Sequence, residues 1–167
     1  MRPVEGEVTV ERASDCELVV THIVKAPARL MFQAWARPEL FKRWWAPASF
    51  DVTIISYEAD VRTGGTYRLE MGHPSSARTM TFHGRYLEVL PDARIVWTNE
   101  EGGEDGPVTM VTFEERDGAT LVTVCDRYPS KEALDDVIAS GSTSGWSEQL
   151  HQLDVILSDP HGLIEGA

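Results

Sequence analysis

Positive charge is scarce in this sequence and unevenly distributed. The 167 residues carry 15 Lys+Arg against 27 Asp+Glu, a formal net charge of −12. Residues 1–98 hold 12 basic and 12 acidic side chains, whereas residues 99–167 hold 3 and 15. Nucleic acids and anionic membranes are bound through clustered Lys and Arg. The charge balance therefore argues against both as general partners.

Cysteine and long apolar runs are also lacking. Cys16 and Cys125 form no CxxC or Cys/His spacing, so neither a disulfide framework nor a zinc site is expected. No apolar run approaches the roughly 20 residues needed to span a bilayer, and no secretory signal is visible. We expect a cytoplasmic chain with free thiols and no metal.

The remaining composition is that of an ordinary globular domain, with 42% hydrophobic and 25% charged residues. The length suffices for a core without covalent staples. Residues 1–14 are polar and Glu-rich and are interpreted as a leader or an extra edge segment. We expect a single domain over residues 15–159 and a tail over residues 160–167.

Strand-forming segments dominate the middle of the chain. The first covers residues 16–25 and is rich in Val, Ile and Thr. Six more are predicted at residues 50–60, 65–71, 79–89, 94–99, 108–115 and 120–127. Apolar and polar residues alternate within them, as in the run from Thr66 to Met71. Such alternation predicts an antiparallel sheet with one covered face.

Helices are predicted on either side of these strands. Two short helices follow the first strand, the first at residues 28–36 and the second around residues 40–45, ended by Pro47. Another is expected at residues 130–140. The longest, residues 142–158, begins at a candidate N-cap, Ser144, and ends before Asp159-Pro160.

One apolar stripe runs along this last helix. It consists of Trp146, Leu150, Leu153 and Leu157, at i, i+4, i+7 and i+11. The stripe can cover the apolar face of the sheet. We therefore predict an α+β helix-grip fold, in which a curved antiparallel sheet wraps around a long C-terminal helix.

Short motifs follow one another along residues 16–158. They are Ala26-Pro-Ala-Arg29, Phe32-x-Ala34-Trp35, Pro38-Glu-Leu40, Trp44-Trp45-x-Pro47, Val61-Arg-x-Gly64-Gly-x-Tyr67-Arg68, Gly84-x-Tyr86-x-Glu88, Pro91, Arg94-Ile-Val-Trp97, Val111-Thr-Phe113-Glu114 and Gly145-Trp146. In this order they resemble the activator of heat-shock-protein-90 ATPase homologue-like domain. That domain belongs to the START-like, birch-pollen-allergen-like (SRPBCC) superfamily.

The resemblance implies a cavity between the sheet and the C-terminal helix. Its expected lining comes from the helix-facing positions of the sheet, from the C-terminal helix and from two tryptophans near the cavity entrance. The sheet residues are Tyr67, Leu69, Phe82 and Trp97, the helix residues are Trp146, Leu150 and Leu153, and the entrance residues are Trp44 and Trp45. A mainly apolar lining is typical of small-molecule sites. The leading hypothesis is a non-enzymatic domain that binds an apolar small molecule. The alternative for each of these residues is that it only fills the core.

Two other functions stay open. The resemblance also implies an interaction module that modulates a heat-shock chaperone ATPase in the stress response, with a homodimer as a further expectation. A polyketide cyclase-like enzyme would need polar residues in the cavity, and His73, His83 and Arg85 are the candidates. Because His83 and Arg85 alternate with apolar neighbours, we expect them to face solvent. No catalytic residue is therefore assigned.

Two smaller expectations complete the sequence-based analysis. Gly64-Gly65 is a turn and not a phosphate loop, so no nucleotide cofactor is expected. The superfamily pairs its first and last strands, which would bring Cys16 and Cys125 near each other but a few residues out of register. A final set of acids is expected at turns and exposed positions: Glu100, Glu101, Glu104, Asp105, Asp135 and Asp136. One interpretation is a solvated face that keeps the domain soluble. The alternative is an acidic rim beside the cleft that disfavours anionic ligands.

Overall fold

Eight antiparallel strands form one sheet in the computed structural model, which describes residues 8–46, 48–75, 77–100, 103, 106–141 and 145–157. The strands are β1 Thr9–Arg12, β2 Glu17–Val24, β3 Thr53–Ala59, β4 Thr66–Gly72, β5 Thr79–Leu90, β6 Arg94–Thr98, β7 Val108–Arg116 and β8 Ala119–Arg127. Their order in the sheet is β1-β2-β8-β7-β6-β5-β4-β3. The sheet is open and curved, which confirms the predicted helix-grip class.

The strand β1 adds an eighth strand to the seven predicted. It pairs with β2, with Thr9 opposite Thr21 and Arg12 opposite Leu18. Of the two interpretations of residues 1–14, the structure therefore supports an edge segment for Thr9–Arg12. The strand was not predicted because its composition is polar: an edge strand with exposed side chains needs no alternation of apolar and polar residues.

Alternation determines which side chains face the core. On β4, Leu69 and Met71 are buried while Thr66 and Arg68 are exposed, as predicted. An Asp117-Gly118 turn joins β7 to β8 in a hairpin, and both of its residues have positive φ, 55° and 82°. Positive φ at both central positions matches the twist of the flanking strands.

The segment between β2 and β3 crosses one face of the sheet, because β2 is second and β3 is last in the strand order. It contains helices α1 (Ala28–Ala36) and α2 (Pro38–Phe41) and a 3-10 turn at Ala48–Phe50. Proline suits the first helical turn, so α2 begins earlier than predicted, and it ends at Phe41. The predicted stop at Pro47 lies outside the described residues.

Helix α3 (Lys131–Ser140) is capped at both ends. The Ser130 side chain accepts a hydrogen bond from the Ala133 amide, and Gly141 has φ 78°. Helix α4 (Gly145–Leu157) packs against β2 and α1. The predicted boundaries of α4 at Ser144 and Asp159-Pro160 lie outside the described residues. No helix in the described ranges is both long and apolar enough to cross a membrane.

The cysteines lie on neighbouring chain segments. Cys125 on β8 is opposite Val19, three positions beyond Cys16, which lies just before β2. Both thiols are free. Burial and the neighbouring Glu17 carboxylate raise the pKa of Cys125, so this thiol is a poor nucleophile.

Candidate ligand-binding cavity

A cavity of about 230 Å³ lies between strands β3–β6 and the segment that contains α1 and α2. Its lining is predominantly apolar and rich in aromatic side chains: Trp35, Phe41, Trp45, Tyr57, Val61, Tyr67, Leu69, Met71, Phe82, Tyr86, Ile95, Trp97 and Asn99. No residue of α4 is among these lining residues, whereas the resemblance implied a cavity between the sheet and the C-terminal helix.

One wall of the cavity is a stack of three aromatic rings. Phe41 of α2 lies between Trp45 and Tyr57, with ring centroids 4.7 and 4.6 Å away and interplanar angles of 26° and 25°. Near-parallel rings at this distance are a favourable packing arrangement. The stack attaches the helical segment to β3 and leaves ring surfaces along the cavity.

The floor of the cavity is formed by alternate residues of β4, β5 and β6. Within it, Gly84 has no side chain, and a Cβ there would lie 2.0 Å from the Thr98 carbonyl oxygen. This close approach lets the Tyr67 hydroxyl donate to the same carbonyl at 2.7 Å. Gly84 therefore allows β6 to approach β5 closely enough to position Tyr67.

Two further tyrosines place hydroxyl groups in the cavity. The Tyr57 and Tyr86 oxygens lie 3.4 Å apart. Burial raises the pKa of Tyr57 to about 12, and burial together with Tyr57 raises the pKa of Tyr86 as well. Both phenols are neutral at physiological pH, so the cavity presents polar groups without negative charge.

Five of the nine sequence-predicted site residues line this cavity: Trp45, Tyr67, Leu69, Phe82 and Trp97. They are the predicted sheet positions and one tryptophan of the helical segment. Strand alternation is sufficient to find the sheet residues. Alternation also places Tyr86 on this face.

The other four predicted residues lie elsewhere. Leu150 and Leu153 of α4 are fully buried in the core, because α4 lies over β2 and α1 and not over β3–β6. Trp44 is also fully buried, and its indole donates to the Ala34 carbonyl at 3.0 Å. Trp146 packs perpendicular to Trp45, at a centroid distance of 5.5 Å.

Polar side chains of α4 hold the segment that carries Trp45. Gln149 Nε2 donates to the Trp45 carbonyl at 2.5 Å. Gln152 Nε2 donates to the carbonyls of Trp44 and Ala46 at 2.8 and 3.0 Å, and its Oε1 accepts from the Ala48 amide at 2.9 Å. Helix α4 thus supports the cavity indirectly, through a wall residue. Sequence reasoning missed this role because the glutamines lie off the apolar stripe.

Glu148 extends this attachment by one more residue. Its carboxylate accepts from the Ser49 amide at 2.8 Å and from the Ser49 hydroxyl. These hydrogen bonds lower the pKa of Glu148. The carboxylate is therefore ionised at neutral pH and holds the 3-10 turn to α4.

The histidines considered for catalysis are outside the cavity. His83 and Arg85 are exposed, as predicted, and Arg85 pairs with Glu100 at 2.8 Å. Among the described residues, no three His, Cys, Asp or Glu side chains cluster closely enough to bind a metal. The buried histidine is His22, whose Nε2 lies 2.8 Å from the Asp154 carboxylate. This pair joins β2 to α4.

The curved sheet, the C-terminal helix and the aromatic cavity define the class: a START-like helix-grip domain. More particularly, the chain belongs to the family described as Activator of Hsp90 ATPase homolog 1-like protein, whose model matches residues 25–158. The sequence resemblance is thereby confirmed. A comparison with curated proteins finds no match.

Solved bacterial structures share this fold over nearly their whole length. A Rhodobacter sphaeroides protein matches with TM-score 0.83 and 21% identity, covering 91% of this chain and 98% of its own. A Mycobacterium smegmatis protein matches with TM-score 0.77 and 28% identity, covering 90% and 98%. A Nitrosomonas europaea protein matches with TM-score 0.78 and 20% identity, covering 88% and 97%. At these identities, the similarities to the first and third proteins concern the fold alone.

Proposed function

We propose that this chain binds an apolar small molecule in the cavity between β3–β6 and the α1–α2 segment. The observation that supports the proposal is a cavity of about 230 Å³ lined mainly by aromatic and aliphatic side chains. Protein interiors are normally packed to the density of organic crystals. A space of this size therefore forgoes packing energy that a ligand would restore.

The volume sets the size of the ligand. An engineered apolar cavity of about 150 Å³ binds benzene, and this one, at about 230 Å³, is larger by roughly one further ring. The stacked rings of Phe41, Trp45 and Tyr57 favour a flat molecule. A two-ring aromatic compound is the expected class.

Titration with naphthalene, followed by tryptophan fluorescence and by calorimetry, tests the proposal. Phe82→Trp enlarges a lining side chain and is expected to weaken naphthalene binding at least tenfold, since overpacking consumes the free volume. Leu87→Trp makes a comparable change at an exposed position of the same strand and should bind as the unchanged protein does. Thermal melts establish that both variants fold. Equal binding of naphthalene by all three proteins, or no saturable binding of any two-ring aromatic compound, would contradict the proposal.

A second candidate function comes from the family match over residues 25–158. We propose a chaperone-modulating module as the alternative, acting in the cytoplasm during stress, with a homodimer as a further expectation. The assay measures ATP hydrolysis by the cognate heat-shock chaperone with and without this protein. An unchanged rate together with no detectable complex would remove this candidate.

A further inference from the structure

A chain of hydrogen-bonded side chains links the cavity to a buried carboxylate. Asn99, which lines the cavity, donates from Nδ2 to Thr109 Oγ1 at 3.0 Å. The Thr109 hydroxyl in turn donates to Asp126 Oδ1 at 2.5 Å. Asp126 is only 7% exposed and lies among the apolar core residues of β8. It is the buried end of this series of hydrogen bonds.

The carboxylate determines the direction of these hydrogen bonds. Burial raises the pKa of Asp126, and hydrogen bonds from Thr109 and Trp146 offset that rise only in part. The Thr109 hydroxyl donates to Asp126 Oδ1, and the indole of Trp146 can only donate. A hydroxyl has a single hydrogen, and that of Thr109 points to Asp126. Toward Asn99, Thr109 can only accept.

The orientation of the Asn99 amide follows from its two partners. Besides Thr109, Nδ2 donates to the Pro107 carbonyl at 3.0 Å. A carbonyl cannot donate, so this contact alone requires the nitrogen end of the amide to face Pro107. Both amide hydrogens are then used. Oδ1, which can only accept, is the group of the Asn99 amide that remains for a further donor.

The hydroxyl of Tyr67, which also lines the cavity, does not compete for this acceptor. Tyr67 directs its hydrogen to the carbonyl of Thr98, the residue before Asn99, at 2.7 Å. An occupant of the cavity that Asn99 lines can supply a donor for Oδ1. An acceptor that loses its water on ligand binding and gains no partner costs free energy, so a purely apolar occupant is disfavoured here.

We propose that Asn99 Oδ1 makes the cavity selective for a neutral aromatic molecule that carries an O–H or N–H donor, such as a phenol or an indole. Thr109 and Asp126 act as positioning residues that hold the amide in this orientation. The proposal rests on the proposed function and specifies the class of ligand.

Three ligands of one shape separate the two proposals. Naphthalene has no polar group, 2-naphthol adds a donor, and 2-methoxynaphthalene replaces that donor with an ether. With one hydrogen bond made to Asn99, 2-naphthol is expected to bind about tenfold more tightly than 2-methoxynaphthalene. Calorimetry on the full chain gives the ratio of dissociation constants directly.

Variants then test whether the preference for 2-naphthol over 2-methoxynaphthalene depends on Asn99 and on Thr109, which positions it. Asn99→Leu retains the side-chain volume without the acceptor, so the ratio should fall to about one while naphthalene binding persists. Thr109→Val removes the acceptor for Nδ2 and should lower the ratio, whereas Thr109→Ser retains the hydroxyl and should restore it. A merely structural role for Thr109 would change the affinity for all three ligands together. Should Asn99→Leu fail to fold, the Thr109 pair provides the same test.

The outcomes are distinct. Failure of all three ligands to bind overturns the proposed function and, with it, this assignment. Binding of all three with equal affinity, or a preference for 2-naphthol that survives in Asn99→Leu, overturns the assignment alone.

Discussion

Gln152 of α4 offers the sharpest test of how the C-terminal helix acts on the cavity. Its side chain makes three hydrogen bonds to the backbone of the segment that carries Trp45, to Trp44, Ala46 and Ala48. Methionine has nearly the same length and a similar helix propensity. Gln152→Met therefore removes the three hydrogen bonds and leaves the packing volume largely unchanged.

The size of the loss follows from the count of hydrogen bonds. A side-chain hydrogen bond contributes about 0.5–1.5 kcal/mol net. Two of these three are half-buried and the one from the Ala48 amide is exposed, so water can replace part of each. We expect the free energy of unfolding to fall by about 2 kcal/mol. Because Trp45 belongs to the cavity wall, the affinity for naphthalene should fall as well, by several-fold.

Urea unfolding followed by far-UV circular dichroism measures the first effect, and naphthalene titration measures the second. Val155→Ala on the same helix is the control, since Val155 is 70% exposed. It should change stability by less than about 0.5 kcal/mol. If Gln152→Met is no less stable than this control, the glutamine does not hold the segment and the indirect role of α4 is wrong.

Three further predictions concern the cavity itself. Gly84→Ala should lower the free energy of unfolding, measured in urea, by about 3 kcal/mol, because the added Cβ would lie 2.0 Å from the Thr98 carbonyl oxygen. Gly72→Ala is the control and should lower it less, because the added Cβ would contact only the Ile55 side chain, at 3.0 Å. Stability should fall as the pH rises from about 10, where unfolded tyrosines lose their proton, to about 12, the raised pKa of Tyr57. In Tyr57→Phe the urea midpoint should decline less steeply over this pH range. An unchanged decline would show that the Tyr57 phenol does not cause it. Finally, 2-naphthoic acid should bind as the neutral acid, so its affinity should fall up to tenfold per pH unit above a pKa of about 4, while that of 2-naphthol stays constant between pH 5 and 7.

Strand alternation carried most of what sequence reasoning could establish about this fold. It predicted seven of the eight strands and the inward direction of Leu69 and Trp97. The apolar stripe of α4 likewise predicted a core-facing helix. Neither pattern contains the way in which the helix packs on the rest of the fold. The cavity is lined by Phe41 of α2 and by no residue of α4, and tertiary packing determines this.

The polar groups were missed for a different reason. His22 and Asp126 occupy inward-facing positions in strands whose other inward residues are apolar, as the burial of Val20 and Val124 shows. A charged or polar residue at such a position must find a partner, and this signal is present in the sequence. The partner is not, because Asp154 and Thr109 belong to other elements.

The net charge of −12 and the chemistry of the cavity are separate matters. The acidic-rim hypothesis attributes discrimination against anions to surface carboxylates. Of these, Glu100 pairs with Arg85, and hydrogen bonds from Thr98 and Arg85 lower its pKa. Glu101, Glu104 and Asp105 lie outside the described residues. The cavity supplies a second mechanism: the same desolvation that raises the pKa of Tyr57 acts on any carboxylate bound beside it. Salt distinguishes the two mechanisms, because surface charges are screened over about 10 Å at 0.1 M ionic strength whereas desolvation is not. Discrimination against 2-naphthoate that is unchanged between low and high salt would therefore originate inside the cavity, and discrimination that disappears would originate at the rim.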